Sequence, residues 1–201
     1  MFYRPNIDDH GLPHNPFKAI VSPRPIGWIS TVDTQGRANL APYSFFNAVT
    51  DNPPMVMFAS TGNKPDQTYA KDSVANIRDT GEFVVNIVSM ALKDQMNSSS
   101  GSLAAGADEF EHAGITKADC NIVEAPRVAA SPASLECKLF KIVDLPGENN
   151  VMVLGEVVGV HLDDTVMVDG VFDVTRYTPL ARLGYKDYTS VTDIFSLGRP
   201  E

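Results

Sequence analysis

The sequence predicts a mostly β protein, an antiparallel β-barrel with a few short helices at its rim. Three observations carry this. Short segments rich in Ile, Val, Thr and Trp recur along the chain and are joined by turn residues. The two longest, 135–145 and 151–162, are separated only by Pro146-Gly147-Glu148-Asn149-Asn150, a hairpin turn. Helical patterns are confined to two or three short stretches, so the strand–helix alternation of a doubly wound sheet is missing.

The elements follow in order. Residues 5–25 hold Pro5, Pro13, Pro16, Pro23 and Pro25, which forbid a long helix; the segment reads as an arm with one helical turn near 17–21. Ile26 to Val32 is a strand, Asp33-Thr34-Gln35-Gly36 a turn, and 37–43 the returning strand of a hairpin. Asp51-Asn52-Pro53-Pro54 is a second turn, followed by a short apolar strand at 55–60 and a loop at 61–67. A helix over 68–80 places Ala70, Val74 and Ile77 on one face and stops at Gly81. Residues 82–88 form a strand. Ser89 is a candidate N-cap for a second helix with Leu92 and Met96 on one face. The small, polar run 97–106 reads as a mobile surface loop. Strand 151–162 is apolar on both alternating faces, which predicts cover on both sides, and a further strand is expected near 182–188.

The 201 residues are 43% hydrophobic and 20% charged, and a domain takes ~100–200 residues. One domain over 1–201 is expected, with 1–24 as an N-terminal arm and 189–201 as a C-terminal tail. Disorder and fibrous repeats are excluded by composition. The 16 basic against 25 acidic residues give a net charge of −9. That disfavours nucleic acid and an anionic membrane as partners. Cys120 and Cys137 form no CxxC pair and read as reduced thiols. No leader pattern and no apolar run long enough to span a bilayer are present, so a cytoplasmic protein is expected.

No metal site is expected. His10 and His14 are four apart, but the surrounding prolines prevent the helix that would align them. His161, on a predicted strand, reads as structural, hydrogen-bonded to Glu136 across the predicted hairpin. The nucleophile elbow, Walker loop, zinc-protease and dinucleotide signatures are absent. Two clusters remain. Ser44-Phe45-Phe46-Asn47 sets two aromatics beside two hydrogen-bonding side chains, which is either a ligand wall or two core rings with turn residues. Ser60, Thr61, Lys64 and Thr68 run from a strand end through a loop to a helix start, which suits an anion and is equally an ordinary solvated loop.

Several motifs together resemble the flavin reductase-like, FMN-binding split-barrel family associated with flavoprotein oxygenases. They are Asn15-Pro16-Phe17-Lys18, Pro23-Arg24-Pro25-Ile26-Gly27-Trp28-Ile29-Ser30-Thr31 and Asn39-Leu40-Ala41-Pro42-Tyr43-Ser44-Phe45-Phe46-Asn47, with Gly81-Glu82-Phe83-Val84-Val85-Asn86, Ser134-Leu135-Glu136-Cys137, Gly155-Glu156-Val157-Val158 and Pro179-Leu180-Ala181-Arg182-Leu183-Gly184. The likeness spans roughly 15–188. It implies a split antiparallel β-barrel, a homodimer and FMN near the subunit interface. It implies that Arg24, Thr31 and the segment Ser44, Phe45, Phe46, Asn47 meet the flavin. The segment Ser60, Thr61, Lys64, Asp66, Thr68 would hold the phosphate. Lys64-Pro65-Asp66-Gln67-Thr68 departs from the contiguous Lys-Asp-Thr common in the family.

The implied activity is an FMN-dependent oxidoreductase taking electrons from NADH or NADPH and passing them to a flavin, oxygen or a partner oxygenase. The alternatives are a non-catalytic FMN electron carrier of the flavoredoxin kind and a binding protein on the same barrel. The flavin would carry the redox chemistry, so the missing triad or metal cluster is consistent with it.

Overall fold

The computed structural model describes residues 1–62, 71–101, 103 and 107–200. Seven strands build one antiparallel sheet: β1 (Gly27–Val32), β2 (Ala38–Tyr43), β3 (Phe46–Asp51), β4 (Pro54–Ser60), β5 (Glu82–Ile87), β6 (Ala133–Asp144) and β7 (Val151–Leu162). Their order is β2-β1-β5-β6-β7-β4-β3. The edge strands β2 and β3 are consecutive in the chain and joined by Ser44 and Phe45 alone. That link brings the two edges together at one corner, where the Tyr43 and Phe58 rings lie 4.7 Å apart. No ladder pairs β2 with β3 among the described residues.

Alternation sorts the strands' side chains into two cores. Ile29, Tyr43, Phe46, Phe58, Phe83, Val85 and Val153 face inward, packed with Val74 and Ile77 of α1 (Asp72–Thr80). Trp28 and Leu40 face the other way. They are covered by Leu92 and Met96, from a 3₁₀ turn (Met90–Leu92) that runs into α2 (Lys93–Ser98), and by Phe110, Val128 and Leu180. The Trp28 indole N–H is buried and donates to Ser99 Oγ at 2.9 Å, so its polar edge is satisfied.

One polar residue ties three strands together. Asn86 on β5 donates to the Trp28 carbonyl (3.0 Å) and Ser30 Oγ (3.2 Å) on β1. Its oxygen accepts from the Val128 amide (2.8 Å) and from Ser134 Oγ on β6 (2.9 Å). All four of its hydrogen-bonding positions are used, which makes a buried amide tolerable. Gly155 sits at a register shift in β7 where a Cβ would stand 2.4 Å from the Phe83 ring. The close approach of that ring requires glycine there.

The predicted strand boundaries hold within two residues for β1, β2, β4, β5, β6 and β7. The 17–21 turn is a helical turn at Phe17–Ile20, and Gly81 ends α1 in the left-handed conformation with its N–H on the Ile77 carbonyl. Several expectations are corrected. Strand β3 was hidden because 46–51 carries the polar residues of an edge whose side chains are mostly exposed. Helix α1 begins at Asp72 with Lys71 extended; 68–70 lie outside the described residues. The Ser89 side chain caps nothing, and its backbone instead bridges to Pro179. The run from 97 is not all surface loop: Asn97 and Ser98 finish α2, and Ser99 is buried beneath Trp28. Within this chain β7 is covered only along its first half, and Val160 and Leu162 are exposed. The strand expected near 182–188 is two short ones, Leu180–Arg182 and Tyr188–Ser190, paired antiparallel. Gly184 and Tyr185, the latter at positive φ, turn the chain between them, closed by the Asp187 amide on the Gly184 carbonyl. Arg24-Pro25 pairs with the first of the two, which fastens the N-terminal arm to the body.

Candidate functional site

Strand periodicity places Asn39, Ala41 and Tyr43 of β2 on one face. They line a small cavity of about 120 Å³ with Lys71 and Ser73 at the start of α1. Asn39 Nδ2 donates to Ser73 Oγ at 2.9 Å, and the Lys71 ammonium lies 5.9 Å from the Tyr43 ring centre. Thr31 is next to Asn39 in register and accepts from Asn76 Nδ2 at 3.0 Å. Five of these residues carry neutral hydrogen-bonding groups, and Lys71 and the carboxylates of Asp72 and Glu109 stand beside them. The set suits the hydroxylated, polar chain of a ligand.

The cavity continues. It shares Pro42 and Ser100 with a pocket of about 170 Å³ that also holds Ile26, Ser44, Arg182 and Tyr188. That pocket shares Met96, Asn97 and Tyr188 with a third, about 530 Å³, bounded by Met90, Lys93 and Leu180. Three adjoining cavities therefore form one trough from the N-terminus of α1, past the end of β2, to the C-terminal strand pair. Its middle mixes apolar Ile26, Pro42 and Met96 with polar Ser44, Asn97, Ser100 and Arg182, and Lys71 stands near one end. The Arg182 guanidinium lies 4.4 Å from the Tyr188 ring centre and donates to the Tyr188 hydroxyl and, at 2.6 Å, to the Tyr185 carbonyl.

Two buried hydroxyls at the polar end, Tyr43 and Ser60, make no hydrogen bond of good geometry, although Tyr43 interacts with both Ser60 and Ser73. Burial pushes the Tyr43 hydroxyl pKa up, so it stays a neutral donor. A ligand oxygen here would give these hydroxyls a partner of better geometry. A flavin mononucleotide, with a flat ring, a hydroxylated chain and a terminal phosphate, fits this donor set and this elongated form.

The sequence-derived residues divide. Thr31, Ser44 and Ser60 lie at the trough or at its buried polar end. Phe45 has the Lys18 ammonium 5.7 Å and the Arg24 guanidinium 5.9 Å from its ring centre. Phe46 packs in the inner core opposite Phe58, and Asn47 is exposed with its oxygen on the Ala48 amide. Arg24 is buried, and its guanidinium donates to the carbonyls of Lys18, Val21 and, at 2.7 Å, Leu183. Burial, and secondarily Arg182 across the strand pair, lowers its pKa. Thr61 is exposed; Lys64, Asp66 and Thr68 lie outside the described residues. Asn39, Tyr43, Lys71, Ser73 and Tyr188 were not singled out from sequence as site residues. The alternation Asn39-Leu-Ala-Pro-Tyr43 was the available signal for the first and second of them.

His161 and Glu136 do meet: Nε2 to Oε1 is 2.6 Å. They lie on the β6–β7 hairpin, and neither borders the three cavities of the trough.

Known proteins resemble this chain over most of its length. A family model described as the flavin reductase like domain matches residues 21–181. An uncharacterised protein of Aquifex aeolicus is 41% identical over 170 residues, 84% of this chain and 85% of that protein. The crystal structure of nitrilotriacetate monooxygenase component B from Bacillus cereus is 25% identical with a TM-score of 0.89, covering 98% of each chain. That of Pseudomonas fluorescens 2-nitrobenzoate 2-nitroreductase is 29% identical with a TM-score of 0.81, covering 92% of this chain and 88% of the other. No helix among the described residues is long and apolar enough to cross a membrane.

Proposed function

This chain belongs to the flavin reductase-like family, and from that premise we propose that it is an FMN-dependent oxidoreductase drawing electrons from NADH or NADPH. The sheet is the family's split barrel, and FMN is the cofactor. The observation that carries the reading is the run of adjoining cavities from the α1 N-terminus to Tyr188, with the buried hydroxyls of Tyr43 and Ser60 at its polar end. When bound, the flavin supplies the electron-transfer chemistry itself, so the protein's task is to bind, orient and exclude water.

Each part of the trough has a role. Ser60, Thr61, Lys64, Asp66 and Thr68 hold the phosphate end, aided by Lys71 beside the α1 N-terminus. Tyr43, Asn39 and Thr31 offer hydrogen bonds to the hydroxylated chain. Ser44, with Ile26 and Met96, would wall the ring, and Phe45 would meet it from the Lys18 and Arg24 side. Arg182, held over Tyr188, would offer a positive charge to a flavin bound here. The remaining space beside Met90 and Tyr188 admits a flat donor or acceptor against the ring. Oxygen, a second flavin or an oxygenase is the acceptor. The nitroreductase and monooxygenase-component likenesses support an oxidoreductase of this kind.

The protein is expected to act as a cytoplasmic homodimer, because one small barrel encloses a flavin poorly and the exposed Phe140, Val160 and Leu162 leave apolar surface for a second copy. The test is anaerobic mixing of the FMN-loaded protein with NADH and with NADPH while flavin absorbance is followed. Rapid bleaching by either supports the reductase. Bleaching by neither, with reduction by a ferredoxin-like donor, refutes it in favour of a carrier.

A further inference from the structure

Away from the trough, three side chains converge beside the β6–β7 hairpin. The Cys120 sulfur, a Glu136 carboxylate oxygen and a His161 ring nitrogen all lie within 4.8 Å of one another. Glu136 is 1% exposed, and its carboxylate accepts the backbone N–H groups of Asn121 (2.9 Å), Ile122 (2.6 Å) and Val123 (2.9 Å). The segment carrying Cys120 is thereby pinned over the hairpin. His161 borders a cavity of about 450 Å³ with Arg127, Ser131 and Asp163, which gives access from solvent. The flavin reading uses none of these groups.

We propose that Cys120, Glu136 and His161 form a binding site for one borderline-soft divalent cation, with Zn²⁺ the best fit. A thiolate, an imidazole and a carboxylate together are a zinc donor set, and a fourth, open position would take water from the cavity. The three backbone hydrogen bonds to the Glu136 carboxylate orient that ligand and hold the segment that carries Cys120. Without metal, Nε2 and Oε1 close to a 2.6 Å hydrogen bond; tetrahedral ligation requires them to part by about 0.7 Å. His161 is one-fifth exposed at the cavity edge and has room to turn. On loading, bonds form from the cation to Sγ, a Glu136 oxygen and Nε2. The thiol proton leaves to solvent, and the proton on Nε2 moves to Nδ1 by exchange with water, so one proton is released per cation. No electron is transferred. The cation would lock the Cys120–Val123 segment onto the hairpin.

The test uses untagged, flavin-loaded protein and two probes, Co²⁺ and Zn²⁺. Co²⁺ is expected to bind one per chain and to absorb in the red, clear of the flavin, as a tetrahedral thiolate-ligated ion does. Cys120→Ser and His161→Gln are each expected to weaken binding at least tenfold. Zn²⁺ at a hundredfold excess over its Kd should raise Tm by about 5–10 °C in the unmodified protein and not in Cys120→Ser. Should a variant fail to fold, the unmodified protein still decides: Zn²⁺ should slow alkylation of Cys120 at least tenfold. Equal binding by both variants and the unmodified chain, or an alkylation rate indifferent to Zn²⁺, overturns the proposal.

Discussion

Replacing Glu136 with alanine tests whether a buried carboxylate organises the crossing between the 120–123 segment and the β6–β7 hairpin. In the folded protein that carboxylate accepts three backbone N–H groups and lies 2.6 Å from the His161 ring nitrogen. Removing it orphans all three amides. A lost partner costs ~1–3 kcal/mol, and two of these amides belong to exposed residues, so water relieves part of the loss. Taking the low end for each gives a destabilisation of about 3 kcal/mol. For a chain of this size that is a fall in Tm of about 6–12 °C. The assay is urea unfolding at neutral pH with a chelator present, so that no cation contributes. A loss below about 1 kcal/mol would refute the reasoning, because it would mean the amides are as well satisfied without the carboxylate.

The same residue sets a pH dependence whose sign is fixed. Burial opposes ionisation of Glu136, but the backbone amides and His161 outweigh it and hold the carboxyl below its ordinary value. A carboxyl depressed in the folded state contributes stability above its unfolded pKa, ~4.3, and loses it as pH falls through the folded value. The stability gap between the unmodified chain and Glu136→Ala should therefore be flat near neutrality and shrink below about pH 4. A gap that widened with acid would contradict this.

Four further outcomes are expected. Lys64→Ala should weaken FMN binding at least tenfold with the fold intact, read by fluorescence titration; an unchanged Kd would place the phosphate on other donors. His161→Gln should change the rate of bound-flavin reduction less than tenfold, measured by stopped flow; a hundredfold fall with FMN affinity and Tm unchanged would make His161 catalytic, since general acid–base steps contribute ~10²–10⁴-fold. Gly155→Ala should cost about 1–3 kcal/mol in urea unfolding, because its Cβ would stand 2.4 Å from the Phe83 ring. Light scattering should give about twice the 21.8 kDa chain mass; a monomer that holds FMN tightly would remove the case for an interfacial flavin.

The sequence by itself determined the elements whose signals are local. The β6–β7 hairpin was legible because two long apolar runs flank a turn built of Pro146, Gly147 and Asn149. Gly81 announced the end of α1 because positive φ is nearly free only for glycine. Family membership was legible because many short motifs stand in one order over most of the chain. The pairing of Glu136 with His161 was within reach too, since hairpin register follows from the turn and sets Glu136 opposite Gly159, two residues from His161 on the same face.

Tertiary structure decided what depends on partners distant in sequence. Strand β3 has no apolar alternation of its own and exists because β4 offers it a ladder. Phe45 and Phe46 look alike in sequence, yet Phe45 stands in the link before β3 near two cations, while Phe46, the first residue of β3, fills the core. Arg24 reads as a free cation for an anion, but the folded arm surrounds it with carbonyls from Lys18, Val21 and Leu183. The trough joins β2, the start of α1, α2 and the C-terminal pair, four segments spread over 150 residues of chain. The Cys120, Glu136 and His161 cluster has no ligand spacing to read. Its three members meet only because three backbone amides and a two-strand ladder hold their segments against one another.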